Sequence, residues 1–313
     1  MACNYPIQAY RLKDGSVVFD TKKGYDIINY IKIPCGACIG CRLERARQWA
    51  LRCVHEASLY ERNCFITLTY NKEHLPDANE LDYSDFQKFM KRLRKKVCNY
   101  LPTTKHHGPY RKIRFFMCGE YGENFRRPHF HACIFNLDFD DRIYHKTSAA
   151  GSKIYTSEIL QSIWRDKENN NIGYTSVGDI TFDSAGYVAR YIMKKGNDER
   201  DYEYINLETG EVQKQKKEFN RMSLKPGIGN GFYKKFKSDI FPHDICVING
   251  VETKPPKYYY KMLVKEEPEL AERISYEREA RARKNSADNT EDRLIVKEKV
   301  LIAKTKNLRR ELV

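Results

Sequence analysis

Residues 128–135, PHFHACIF, constrain the fold more than any other stretch of this chain. Their alternation reads as a β-strand with Phe130, Ala132 and Ile134 turned into a core and His129 and His131 turned the other way. Two imidazoles on one strand face, about 7 Å apart along the chain by the usual rise, can grip one metal ion. The plain alternative is a pair of solvated surface histidines.

The neighbouring segments supply the rest of a sheet. FITLTY (65–70) is β-branched and aromatic, and IRFFMCG (113–119) forms a strand joined to 129–135 by the polar link YGENFRRP. A fourth strand is expected over 177–182. Between them, Phe86, Phe89, Met90, Leu93 and Val97 make one apolar helical stripe, with Ser84 as the expected cap. A short helix over 156–164 and another from Asp183 or Ser184 to Gly196 complete the order β-α-β-β-α-β-α. That order predicts an α+β fold, an antiparallel sheet flanked by helices.

Four regions follow: 1–62, an N-terminal segment with a cysteine knuckle and a helix; 63–200, the sheet core; 201–256, a loop-rich accessory region; and 257–313, a helical C-terminal region of mixed charge. In the last, Leu294, Leu301 and Leu308 recur at seven beside Ile295 and Ile302, a docking or pairing seam.

Charge narrows the function class. Lys+Arg 56 against Asp+Glu 42 leaves a formal net charge of +14, which points to a polyanion, most commonly nucleic acid. With 41% hydrophobic and 31% charged residues the chain is neither disordered nor membrane-embedded. No run approaches the ~20 apolar residues of a membrane span, and MACNY lacks the start of a signal peptide, so a cytoplasmic location is expected. In that reducing setting the ten cysteines read as thiols or metal ligands rather than disulfides.

A hairpin of 113–120 with 129–136 that sets Glu120 opposite His129 would put all three side chains on one face. A slip of one residue would turn Glu120 away and leave it an exposed turn acid. Two imidazoles and a carboxylate leave coordination positions for water and phosphate oxygens. That mixture suits Mg²⁺ or Mn²⁺ in a catalytic site better than a closed structural zinc.

On the helix 185–195, Ala185, Val188, Ala189, Ile192 and Met193 form the apolar stripe at about 100° per residue. Tyr187 and Tyr191, four apart, share a face roughly opposite it, beside Arg190 and Lys194, and are expected exposed and ready to meet phosphate. A tyrosine oxygen can attack a phosphodiester in line. Its ordinary pKa of about 10 leaves little phenolate, so neighbouring cations and a bound metal are what such chemistry needs. The phosphotyrosine product stores the bond energy for rejoining, and a second tyrosine one turn away could attack in its turn.

In order, FITLTY, PHFHACIF and YVARYIMKK resemble the motifs of the HUH endonuclease superfamily, in its two-tyrosine form. PCGACIGCRLERARQWALRC, CGEYGENFRRPHFHACIF, YVARYIMKK and KPGIGNGF look most like the rolling-circle replication initiators of gokushovirus-type microviruses, over nearly the whole chain. The resemblance implies an RRM/ferredoxin-like sheet topology, His129 and His131 as metal ligands with Glu120 the third by position, Tyr187 and Tyr191 as nucleophiles, and Lys194 and Lys195 holding phosphate. It also implies strand-specific nicking of supercoiled replicative-form DNA at a phage origin, action on single-stranded DNA, and a 5′-phosphotyrosine. The freed 3′-OH would prime a host DNA polymerase beside a host helicase, with a final cut that joins the ends, all in the host bacterial cytoplasm. A plasmid relaxase or a transposase of the superfamily would carry the same site. A non-catalytic, zinc-bearing nucleic-acid-binding protein is the alternative of another class.

Cys35, Cys38 and Cys41 follow C-x₂-C-x₂-C, and Arg45 stands where an iron–sulfur run would want a fourth cysteine. A structural zinc would draw on these with Cys53, Cys3 or His55, although Cys53 also lies on the apolar stripe of its helix. Lys91, Arg94 and Lys95 on the cationic helix face are candidates for contact with the DNA backbone, and Arg126 and Arg127 beside the histidines are candidates for the scissile strand.

Overall fold

In the computed structural model the alternating stretch Pro128–Phe135 is an inner strand of a seven-stranded, wholly antiparallel sheet. The structure describes residues 3–21, 25–76, 79–100, 112–122, 126–148, 151–194, 202–205, 210 and 212–306. The elements begin with β1 (Ile7–Leu12), β2 (Val17–Val18), β3 (Ile27–Ile33), α1 (Ile39–Ala57), β4 (Asn63–Thr69) and α2 (Tyr83–Tyr100). Next come β5 (Arg114–Tyr121), β6 (Pro128–Phe135), β7 (Ile143–Thr147), β8 (Lys153–Thr156), α3 (Glu158–Gln161), β9 (Thr175–Gly178) and α4 (Phe182–Lys194). Then follow β10 (Tyr202–Ile205), β11 (Val212–Gln215), β12 (Phe219–Met222), α5 (Asn230–Ile240), β13 (Cys246–Ile248), β14 (Val251–Thr253), α6 (Lys257–Glu266), α7 (Pro268–Lys284) and α8 (Glu291–Lys306). The chain divides into two units, one from 1–45 and 263–308, the other from 46–262 together with the terminal 309–313.

In the larger unit the strand order is β12-β5-β6-β4-β9-β8-β7. Strand alternation gives the sheet two different faces. Ile66, Leu68, Met117, Phe130, Ala132, Ile134 and Val177 face one core, closed by Phe86, Phe89, Met90 and Leu93 of α2 and by Trp164. Phe65, Phe116, Cys118, Cys133 and Phe135 face a second core, closed by Ala46, Ala50 and Cys53 of α1 and by Ala185, Val188 and Ala189 of α4. The histidine face belongs to this second side.

Several expectations shift. The hairpin β7–β8 lies at the sheet edge where only a short helix was read, because its residues are largely exposed and carry little apolar periodicity. The strand expected at 177–182 is Thr175–Gly178. The helix after it starts at Phe182, because Thr181 and Ser184 cap each other: the Ser184 amide donates to Thr181 Oγ1 at 3.0 Å and the Thr181 amide to Ser184 Oγ at 2.8 Å. At α2 the capping acceptor is Asp82, whose Oδ1 takes the Ser84 amide at 2.8 Å. The loop-rich stretch also yields β12, an edge strand paired with β5, and α5 behind the glycine-rich loop.

That loop is held by a buried ion pair. Glu56 Oε1 accepts Arg114 Nε at 2.5 Å, both side chains are under 5% exposed, and Glu56 Oε2 accepts the Gly229 amide at 2.7 Å. Arg114 Nη2 donates to Pro226 O at 2.7 Å, and Arg52 Nε to Ile228 O at 2.9 Å. Gly229 has φ 81, which favours glycine. Arg114→Ala leaves the Glu56 carboxylate buried with its cation gone, so it is expected to destabilise this unit by about 3–5 kcal/mol in urea unfolding. A loss below about 1 kcal/mol would show that the pair is replaceable.

In the smaller unit β1 pairs with β2 and β3, and Ala9, Ala271, Ile274 and Leu294 are buried. Leu294 thus packs inward, while Ile295 and Ile302 are exposed and Leu308 lies outside the described residues. Among the described residues no helix is long and apolar enough to cross a membrane.

Candidate active site

The β5–β6 register sets Glu120 opposite His129 and Cys118 opposite His131, while β4–β6 sets Thr67 opposite His131. Glu120, His129, His131 and Thr67 therefore share the face covered by α1 and α4. Glu120 and His131 are buried, and His129, with 17% of its side chain exposed, opens the cluster to solvent.

One carboxylate oxygen gathers the cluster. Glu120 Oε1 lies 2.6 Å from His129 Nε2, 2.9 Å from His131 Nε2 and 3.1 Å from the Tyr187 hydroxyl, which donates to it. The Tyr187 ring meets His131 edge to face, with centroids 5.1 Å apart. The far nitrogens are also engaged. His129 Nδ1 donates to Arg127 O at 3.1 Å, and His131 Nδ1 lies 2.9 Å from Thr67 Oγ1. Such contacts fix ring orientation and leave each Nε2 turned to the centre.

Burial pushes the Glu120 carboxyl up, but the charge of His131 and the hydrogen bonds from both imidazoles outweigh it and hold the group down at about 2. Burial lowers His129 as well, yet its bond to Glu120 leaves it raised overall. For the deeper His131, burial prevails and the net direction is down. Glu120 is ionised at any working pH, as a metal ligand must be.

The residues fit a divalent cation. Glu120, His129 and His131 each turn one ligand atom inward, all within 4.8 Å of one another, and Glu120 Oε2 is buried with no hydrogen-bond partner. A buried carboxylate oxygen left empty while its twin takes three donors is what a missing cation would leave behind.

Tyr187 departs from expectation. It is 7% exposed and turned into the cluster instead of standing among cations in solvent. The helical wheel marks the polar side of α4 but cannot tell that this side also faces protein: a tyrosine packs its ring and keeps its hydroxyl for a polar partner. Tyr191, Lys194 and Arg190 occupy α4, but their side chains lie outside the described set, and Lys195 lies outside the described residues altogether.

The other candidates separate. Arg126 sits near the histidines in sequence, but its Nε and Nη2 donate to Gln215 Oε1 at 3.1 and 2.8 Å. Arg127 contributes its carbonyl to His129, and its side chain is half-buried. Lys91, Arg94 and Lys95 lie on α2, the helix that covers the sheet face opposite the histidines, with Lys91, Arg94 and Lys95 exposed to solvent. Cys53 does not join the cysteine knuckle. It is fully buried in the second core and hydrogen-bonded to Cys133, because the apolar stripe of α1 turns it inward, and Cys3 stands with Cys35, Cys38 and Cys41 instead. His55 stacks on Phe232 and lies 2.9 Å from the Tyr259 hydroxyl instead of joining the thiols.

Thr67 and Glu218 escaped the sequence reading. Thr67 is the polar exception at the inward-facing position of FITLTY, and that exception was its signal. Glu218 accepts the Tyr121 amide at 3.2 Å and adds to the charge that raises His129. It precedes a strand the sequence did not reveal.

The profile of the replication-associated protein ORF2 family matches residues 63–196, the segment from β4 to the end of α4. The chain is 35% identical over 273 residues to "Replication-associated protein VP4" of Bdellovibrio phage phiMH2K, across 86% of this chain and 79% of that one. It is 32% identical over 288 residues to "Replication-associated protein ORF2" of Spiroplasma virus 4, across 85% and 81%. A third relative, "Replication-associated protein ORF4" of Chlamydia phage 1, is 28% identical over 236 residues, across 74% of this chain and 54% of the relative. No solved structure matches. The histidine–carboxylate cluster thus lies within the segment that matches the profile, and the chain belongs to the family of phage replication-associated proteins.

Proposed function

We propose that this protein is a metal-dependent DNA nicking and joining enzyme that starts and ends rolling-circle replication of a single-stranded DNA phage genome. The observation that carries the reading is the Tyr187 hydroxyl, 3.1 Å from the carboxylate that joins His129 and His131. A nucleophile beside a two-histidine, one-carboxylate cluster serves phosphodiester transfer, and a structural site has no use for the phenol.

His129, His131 and Glu120 would hold Mg²⁺ or Mn²⁺, which when bound withdraws charge from the scissile phosphate. The protein supplies the rest. The packed Tyr187 ring fixes the direction of attack, and its hydroxyl gives up its proton as the new O–P bond forms. The P–O3′ bond breaks, the 3′ oxygen takes a proton, and the 5′ phosphate stays on tyrosine. Tyr191, one turn on in α4, would make the second transfer, with Lys194, Lys195, Arg190, Arg126 and Arg127 as candidate phosphate contacts. Substrates are single-stranded and supercoiled replicative-form DNA at the phage origin, with a host helicase and DNA polymerase acting on the freed 3′ end in the host cytoplasm.

The deciding experiment is covalent capture on DNA of the protein's own replicon with Mn²⁺ or Mg²⁺. A nucleotide adduct on Tyr187 or Tyr191 that EDTA prevents is expected. Tight binding with no nick and no adduct would move the protein to the binding class.

Lys91, Arg94 and Lys95 would act apart from the chemistry, as contacts to DNA leaving the site. Neutralising all three to Gln should cut the slope of log affinity against log salt by about 2 for single-stranded DNA. The single-turnover rate at saturating DNA should hold. An unchanged slope removes them from the interface.

A further inference from the structure

Cys3, Cys35, Cys38 and Cys41 form a second candidate metal cluster, made of residues of the smaller unit, whereas the histidine site belongs to the larger. Their four sulfurs lie within 4.8 Å of one another, and Cys38 Sγ is 3.8 Å from Cys3 Sγ. A tetrahedral zinc with Zn–S near 2.3 Å holds its sulfurs about 3.8 Å apart. An iron–sulfur cluster, with its own atoms between the ligands, would keep them farther apart.

Each sulfur also accepts a backbone amide. The Cys35 amide donates to Cys3 Sγ at 3.2 Å, and the Cys38 amide to Cys35 Sγ at 3.4 Å. Cys38 Sγ accepts the Asn4 amide at 3.2 Å and the Cys41 amide at 3.4 Å, and Cys41 Sγ accepts the Gly36 amide. Gly36 has φ 81, the conformation that lets the turn fold its amides inward. A neutral thiol is a weak acceptor, so aiming an amide at each of four sulfurs suits thiolates. Four thiolates in one small space require a cation.

We infer that Cys3, Cys35, Cys38 and Cys41 bind one structural Zn²⁺, with Cys3 and not Cys53 as the fourth ligand. The four-sulfur set is closed, leaving no open position for catalysis. Its role is to tie the start of the chain to the first turn of α1. Asn4, next to Cys3, extends the tie: its Oδ1 accepts the Gly40 amide at 3.0 Å and its Nδ2 donates to Leu294 O of α8 at 3.4 Å. The metal thus secures the junction of β1, the start of α1 and α8 within this unit.

The test uses the reduced full-length protein. Zinc analysis should give one equivalent in the wild type and in Cys53→Ser. After exchange with Co²⁺, both should show the thiolate-to-metal charge-transfer and tetrahedral d–d bands of a four-sulfur site, which the histidine cluster cannot produce. Cys3→Ser should shift those bands and weaken zinc at least tenfold in competition with a chromogenic chelator. Absence of thiolate bands in the wild type, bound iron and sulfide, or bands altered by Cys53→Ser would each overturn the assignment. If Cys3→Ser fails to fold, the intensities of the wild-type and Cys53→Ser cobalt spectra decide, because a three-sulfur site or one using Cys53 gives a different spectrum.

Discussion

Tyr187→Phe is expected to remove the covalent DNA adduct at position 187 and to slow nicking by about 10³-fold or more, as loss of a nucleophile does. The substitution deletes one oxygen and keeps the ring packed against His131. It leaves no buried donor unpaired, since Glu120 Oε1 retains both imidazoles. The cost in stability should therefore stay near ~1 kcal/mol, and circular dichroism with thermal melting separates that from loss of chemistry. Tyr191→Phe should nick and then fail to rejoin, leaving open ends on the Tyr187 adduct. Adducts that survive in the double variant would end the tyrosine reading. Full nicking by Tyr187→Phe, with all adduct on residue 191, would reverse the order of the two.

The metal cluster gives the second large effect. Glu120→Gln keeps the shape of the side chain and removes the charge, so Mn²⁺ affinity measured by calorimetry should fall by more than the about 10–100-fold typical of outer-shell substitutions. Nicking at fixed Mn²⁺ should fall with it. Thr67→Val is the companion. It removes the oxygen 2.9 Å from His131 Nδ1 without touching a ligand atom, and is expected to lose about 10–100-fold in affinity while nicking recovers at high Mn²⁺. If Glu120→Gln binds Mn²⁺ like the wild type, the carboxylate is no ligand, and the empty Glu120 Oε2 needs another explanation.

Much of this arrangement was legible in the sequence. Alternation in PHFHACIF fixes which residues share a face, and the short polar link before it favours a hairpin whose register brings Glu120 against His129. The stripe Phe86, Phe89, Met90, Leu93 and Val97 identified a helix that packs on the other side. Less legible were elements whose partners come from far along the chain. The edge strand β12 is four residues long and becomes a strand by pairing with β5, and Glu218 enters the site region only through that pairing.

By itself, then, the sequence determined the period-two strand, the two histidines on one face, the amphipathic helices and the excess of positive charge, because each depends on the local geometry of a strand or helix. Tertiary structure alone decided which surface Tyr187 meets, since a helical wheel sorts residues by polarity but cannot say what lies across the gap. It also decided that Thr67 backs His131, that Arg126 is held by Gln215, and that Cys53 sinks into the core. Cys3 lies 32 residues before Cys35 in the chain. No local periodicity links the two, and their meeting depends on the packing of β1, the start of α1 and α8.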